Sequence, residues 1–245
     1  MWNISLALLG TLAAVVGVSA LQGLSPLQLL HFGSLFVVVL GVWVATGIAH
    51  SPGALFRSLR ILSKLRSHET DLQELAQEIV TSSERIRKEG LLSLDAWADS
   101  VEHPVWAQVM ERLKEGVELP VQEQLLGRLK EERERELMQS ASVFASAGQF
   151  APGAGIIGAV LGLMQVLQSL EDPSKLGPGL VSAFSSILYG LIFSMWVFLP
   201  FSRRLESALP QVAQDIEVCE LGIRSISRGE SPQTLKDILS VWTEN

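Results

Sequence analysis

Four apolar stretches, at about 3–21, 32–49, 147–170 and 179–200, interrupt the chain, and none contains an Asp, Glu, Lys or Arg. A bilayer core about 30 Å thick is crossed by roughly 20 helical residues, so each stretch is a candidate transmembrane helix. Short segments, 22–31 and 171–178, join the stretches into two hairpins, and a large polar block separates the hairpins. Inside that block the pattern changes to the helical period. "SHETDLQELAQEIVTSSERIRKEG" places Leu72, Leu75, Ile79 and Ile86 on one side among charges and ends on Gly90, a C-cap signal. "PVWAQVMERLKEG" repeats the arrangement and ends on Gly116. A third helix is predicted to start near Pro120, pass through "LLGRLKEERERELMQS" and run without a breaker into the third span. Residues 137–170 carry no charge. At about 1.5 Å per residue they outrun the hydrocarbon layer, so this helix is expected to protrude before it meets lipid.

The pattern predicts an all-α integral membrane protein, with four transmembrane helices in a two-plus-two arrangement and a helical cytoplasmic domain. Its expected parts are a first hairpin over 1–50, a cytoplasmic helical domain over 51–143, a second hairpin over 144–202 and cytoplasmic C-terminal helices over 203–245. Composition agrees: 48% hydrophobic residues, 18% charged residues and a mean hydropathy of +0.32 are too apolar for a water-soluble domain of 245 residues. Of the 19 Lys and Arg, 13 lie within 57–135, five follow the last span and only Lys175 lies in a hairpin loop. The positive-inside rule therefore puts the block and the tail in the cytoplasm. The N-terminus has no basic flank and reads as a retained span, although Val18-Ser19-Ala20 has the form of a cleavage site. A net charge of −7 excludes nucleic acid as a partner. One cysteine, Cys219, excludes an intrachain disulfide and a thiolate metal cluster, and reads as a buried bystander.

No catalytic constellation emerges. His31, His50, His68 and His103 are scattered without metal-ligand spacing, no serine stands in a nucleophile elbow, and no glycine-rich phosphate loop is present. "KEERERE" reads as a solvated helix face. Neither an enzyme, a cofactor nor a metal site is expected. The spans do hold hydroxyls, at Ser182, Ser185, Ser186, Tyr189 and Ser194, but no group that binds or releases a proton near neutral pH. In "APGAGIIGAVLGLM" the small residues Ala151, Ala154, Gly155, Gly158, Ala159 and Gly162 fall close together on a helix, and Gly158-xxx-Gly162 is a close-approach spacing. That stripe serves equally for packing on the chain's own spans or on a foreign helix. Pro152 removes one backbone hydrogen bond and permits a kink.

Together these segments resemble the A subunit of the bacterial flagellar motor stator, the MotA/PomA family within the MotA/TolQ/ExbB proton channel group, over nearly the whole chain. "APGAGIIGAVLGLMQVL" resembles the family's third span and sets Pro152 at its functional proline. "LYGLIFSMWVFLPFSRRL" resembles the fourth and sets Pro200 at the second. "RIRKEGLLSLD" resembles the loop motif that faces the rotor, which maps Arg87 and Asp95 to that contact. The end, "LGIRSISRGESPQTLKDIL", is similar to the family's C-terminal helix and Gly-x-x-Pro turn. The sequence departs from the family where the fourth span usually carries Thr, here Ile187, and where the loop usually carries Glu, here Asp95.

The resemblance implies a homopentamer around a dimer of a MotB-like single-span B subunit, which brings the membrane Asp and a peptidoglycan anchor. It implies a rotor contact with the switch protein FliG and a place in the bacterial inner membrane. It also implies an ion pathway and conformational coupling at Pro152, Ala159, Ser185, Ser186, Ile187, Tyr189 and Pro200, with Gly155, Gly158 and Gly162 packing around the partner. Sodium-type relatives carry Thr where this chain has Ala159 and Ile187, so the coupled ion is expected to be H⁺. An ExbB/TolQ-type energiser of outer-membrane processes is the alternative.

Overall fold

The computed structural model describes residues 31–65, 72–168, 170–171 and 173–243, with the single positions Gly10 and Gly17. Apart from those two glycines, the expected first span at 3–21 lies outside the described residues, as does His68. The described residues form helices and no strand: α1 Phe32–Ala49, α2 Ala54–Leu65, α3 Leu72–Glu89, α4 Pro104–Lys114, α5 Leu119–Gln168, α6 Pro173–Ile192, α7 Leu199–Ser207, α8 Leu209–Ser227 and α9 Pro232–Thr243. Three short turns, Leu91–Ser93, Leu94–Trp97 and Ala98–Ser100, link α3 to α4, and a π-helical stretch, Phe193–Phe198, links α6 to α7. The third helix of the polar block does run unbroken into the third span, as the 50 residues of α5. Contacts divide the chain into one unit of residues 1–66 and 138–206 and another of 67–137 and 207–245.

The first unit holds three helices long and apolar enough to cross a membrane, among the described residues. Its burial pattern is the reverse of a water-soluble bundle. On α1 the inward stripe is Ser34, Val38, Val42 and Thr46, at intervals of four, while Phe32, Phe36, Trp43 and Ile48 face outward. Hydrocarbon solvates those large side chains as well as a core would, so the interior is free to take small and hydroxylated residues. Val38 and Val42 pack on Ala147, Ala151 and Ala154 of α5, with Tyr189, Phe193 and Phe198 around them. Outward, α5 shows Ile156, Ile157, Val160, Leu161, Met164 and Leu167.

The second unit is built as water-soluble helices are. Leu75 and Ile79 of α3, Trp106 and Met110 of α4, Leu126 of α5, Ile216 and Ile223 of α8, and Leu235 and Leu239 of α9 form one buried core. Trp106 is fully buried, and its indole N–H donates to Ser82 Oγ at 3.1 Å. Gly222 lets α8 lie against it, because a methyl carbon there would stand 2.6 Å from Ile79 Cγ2 and 3.2 Å from Trp106 Cη2. The stops read from sequence are present. Gly90 (φ 80) follows α3, and at Gly116 (φ 75) the Val117 N–H reaches back to the Arg112 carbonyl while the Gly116 N–H bonds that of Leu113. That pair of bonds is the left-handed C-cap that favours glycine. Cys219 is buried in this core.

Candidate functional site

The small-residue stripe meets the chain's own α6. A methyl carbon on Gly190 of α6 would stand 2.6 Å from the Ala151 carbonyl oxygen and 3.1 Å from the Gly155 Cα. One on Gly155 would stand 2.8 Å from the Ser186 carbonyl oxygen, one on Gly158 2.6 Å from Ser186 Oγ, and one on Gly162 2.8 Å from the Ala183 nitrogen. Backbone therefore lies against backbone along two turns of both helices, a distance that only glycine allows. Of the two uses open for Gly155, Gly158 and Gly162, packing within the chain is seen here, against α6. Helix α1 joins on a neighbouring face, where Gly41 stands against Ala154 Cβ.

A line of hydroxyls closes the seam. Ser34 Oγ donates to the Ser182 carbonyl at 2.8 Å and lies 3.1 Å from Ser182 Oγ. Ser186, fully buried, donates to the Ser182 carbonyl at 3.0 Å. The Tyr189 hydroxyl accepts the His31 backbone N–H at 2.9 Å. Two of the expected pathway hydroxyls, Ser186 and Tyr189, are thus engaged in bonds within the chain. Ser185 and Ala159 are buried, whereas Ile187 is 37% exposed. Thr46 is the polar residue the sequence reading passed over: it is 1% exposed and its Oγ1 has no hydrogen-bond partner. The signal for it was the four-residue interval it shares with Ser34, Val38 and Val42.

The two prolines differ in setting. Pro152 lies inside α5, and Pro200 is the second residue of α7, immediately after the π-helical stretch. In that stretch the Leu199 N–H bonds the Ser194 carbonyl, five residues back. A π-turn of this kind accommodates a residue that the α-helical ladder cannot.

In the second unit Arg87 is exposed on the last turn of α3, and Asp95 is exposed on the turn Leu94–Trp97. Asp95 Oδ1 is 3.0 Å from Lys114 Nζ, a pairing the sequence did not suggest. The link between the two elements is pinned by the Arg85 guanidinium over the Trp97 ring at 5.3 Å and by Glu78, whose carboxylate accepts the Glu102 N–H at 2.6 Å and the His103 N–H at 3.2 Å. The described histidines are engaged structurally. His31 and His103 accept N–H groups at the starts of α1 and α4, and His50 Nε2 is 2.9 Å from Ser146 Oγ. Further along, burial pushes the Asp215 carboxyl up to about 6, and its Oδ1 lacks a partner. Burial raises the Cys219 thiol too, with Asp215 and Glu78 adding to the shift.

Residues 98–218 match the model of the MotA/TolQ/ExbB proton channel family. The chain is 31% identical over 237 residues to the uncharacterized protein YtxD of Bacillus subtilis, covering 96% of this chain and 87% of that one. It is 27% identical to the motility protein A of Helicobacter pylori strain 26695, covering 95% of this chain and 92% of that one. The fold is similar to a chain in the structure of C. jejuni MotAB, with a TM-score of 0.83 at 20% identity over 97% of this chain and 94% of that one. A seam of small residues between apolar helices, a helical unit with its own apolar core and alignment with these relatives over 95–96% of this chain agree: the chain belongs to the MotA/TolQ/ExbB proton channel family.

Proposed function

We infer that the chain is the ion-channel-forming A subunit of a bacterial flagellar motor stator, which converts transmembrane ion flow into torque on the rotor. The observation that carries the reading is the seam itself. Its helices are sealed against each other by glycine and hydroxyls, and no span contains an Asp, Glu, Lys or Arg. An ion pathway needs a group that binds and releases the ion at membrane depth. A MotB-like single-span B subunit supplies that carboxylate together with the peptidoglycan anchor, and a homopentamer of this chain surrounds a dimer of it.

In this reading four spans, with 3–21 and 32–49 as one hairpin and the second hairpin over 144–202, lie in the inner membrane. The helices at 51–143 and 203–245 occupy the cytoplasm. Pro152, Ala159, Ser185, Ser186, Ile187, Tyr189 and Pro200 lie along the ion path and its conformational coupling, and Arg87 and Asp95 meet FliG. The ion is H⁺, because Ala159 and Ile187 offer no oxygen to replace a sodium hydration shell. The test is motility in a strain without other stators, supplied with this chain and its B subunit. Swimming in sodium-free buffer that stops on adding a proton uncoupler is expected. Absence of rotation refutes the stator role, and rotation that requires sodium and survives the uncoupler refutes the choice of ion.

A further inference from the structure

Proline lacks an N–H, so within a helix the carbonyl four residues before it loses its donor. For Pro152 that carbonyl belongs to Gly148, buried inside α5, where an unsatisfied carbonyl is costly. The structure supplies a replacement from another helix. Ser194 Oγ donates to the Gly148 carbonyl at 2.7 Å, and Ser194 is 5% exposed. The serine is the second residue of the π-helical stretch that precedes Pro200, and its own carbonyl receives the Leu199 N–H. Leu199 closes over the same spot, since a methyl carbon on Gly148 would stand 2.9 Å from Leu199 Cδ2 and 3.5 Å from Phe198 Cβ.

We propose that Ser194 is a positioning residue that latches the Pro152 site to the π-helical stretch, its hydroxyl standing in for the N–H that proline removes. The missing backbone hydrogen bond at Pro152 and the ladder shift ahead of Pro200 are then one mechanical element, and neither changes without the other. The consequence for torque rests on the stator reading, whereas the hydrogen bond itself does not.

The two are separated by four proteins, each the full chain with its B subunit: parent, Ser194→Ala, Pro152→Ala and the double variant. Pro152→Ala restores the backbone N–H, which takes over the Gly148 carbonyl. Ser194→Ala is therefore expected to lower the unfolding midpoint of the detergent-solubilised complex by about 2–4 °C when Pro152 is present, the shift one lost hydrogen bond makes in a chain of this size. It should do almost nothing in the Pro152→Ala background. Ser194→Thr should recover the parent midpoint and Ser194→Val, of the same shape without a hydroxyl, should not. If Ser194→Ala fails to accumulate in the membrane, adding Pro152→Ala must restore accumulation. Equal losses in both backgrounds, recovery by Val as full as by Thr, or no restoration by Pro152→Ala overturns the latch. Rotation speed of tethered beads, read on the Thr and Val variants, should follow the midpoints. Coupled midpoints with no rotation by the parent would leave the latch standing and remove the stator role.

Discussion

Replacing Gly190 with alanine tests the seam most directly. The added carbon would stand 2.6 Å from the Ala151 carbonyl oxygen and 3.1 Å from the Gly155 Cα, both backbone atoms that no rotamer change can move aside. Carbon–oxygen contacts of this type settle at about 3.3–3.6 Å, so α5 and α6 must part by about 0.7 Å or more. A gap of that size forfeits roughly a quarter to a half of each dispersion contact along the seam. Overpacking a tight site costs about 1–3 kcal/mol, and the rigidity of both surfaces puts Gly190→Ala in the upper half of that range. In a chain of this size that is a fall of about 5–10 °C in the unfolding midpoint. The control is Gly153→Ala on α5, where nothing lies within 4 Å. There the substitution only restricts the unfolded chain and should stabilise by about 0.5–1 kcal/mol. The assay is thermal unfolding of the purified chain in one detergent. If Gly190→Ala proves as stable as Gly153→Ala, backbone contact does not hold these helices together and the reasoning is wrong.

In the second unit, Gly222→Ala drives a methyl into Ile79 and Trp106 and should cost about 1–3 kcal/mol, read as a lower midpoint together with red-shifted Trp emission as Trp106 becomes wetter. Asp215 gives a pH signature. Its carboxyl is held near 6 rather than the ordinary 3.8, so the folded chain binds the extra proton, and stability falls as pH rises from about 4 through 6 before levelling off. Asp215→Asn should flatten that slope in midpoints measured from pH 4 to 8, and an unchanged slope would assign it to another group. Reversing both exposed charges, Arg87→Glu with Asp95→Lys, should lower rotation speed in the bead assay without reducing membrane insertion. The stability change should be small, since an exposed pair such as Asp95–Lys114 contributes about 0–1 kcal/mol.

The helices of the second unit were legible because their signals are local. Leu75, Ile79 and Ile86 repeat at the helical period, and Gly90 and Gly116 mark ends that the positive φ values bear out. The continuous run of α5 was legible from the absence of any breaker before Pro152, which a membrane helix tolerates. What the sequence withheld depends on which faces meet. A small-residue stripe states that something comes close but not what, so the meeting of Gly155 with Gly190 appears only once α6 is placed. The Asp95–Lys114 pair joins two short elements through a turn whose path no periodicity dictates. The π-helical stretch was hidden for a similar reason, as Pro200 marks a lost donor without showing where the ladder re-forms.

The two sides of α5 in the membrane differ in bulk and hardly at all in polarity. Gly155, Gly158 and Gly162 lie against α6, and the intervening Ile156, Ile157, Val160, Leu161 and Met164 face outward. The information in this stretch is therefore written in volume. Exchanges that keep it apolar are not conservative: Gly155→Val or Gly158→Val would make the segment more hydrophobic and better suited to insertion, yet would wedge the hairpin open. A mutant library ranked by hydropathy would score such changes as improvements and would meet its failures after insertion, at the step where the helices close.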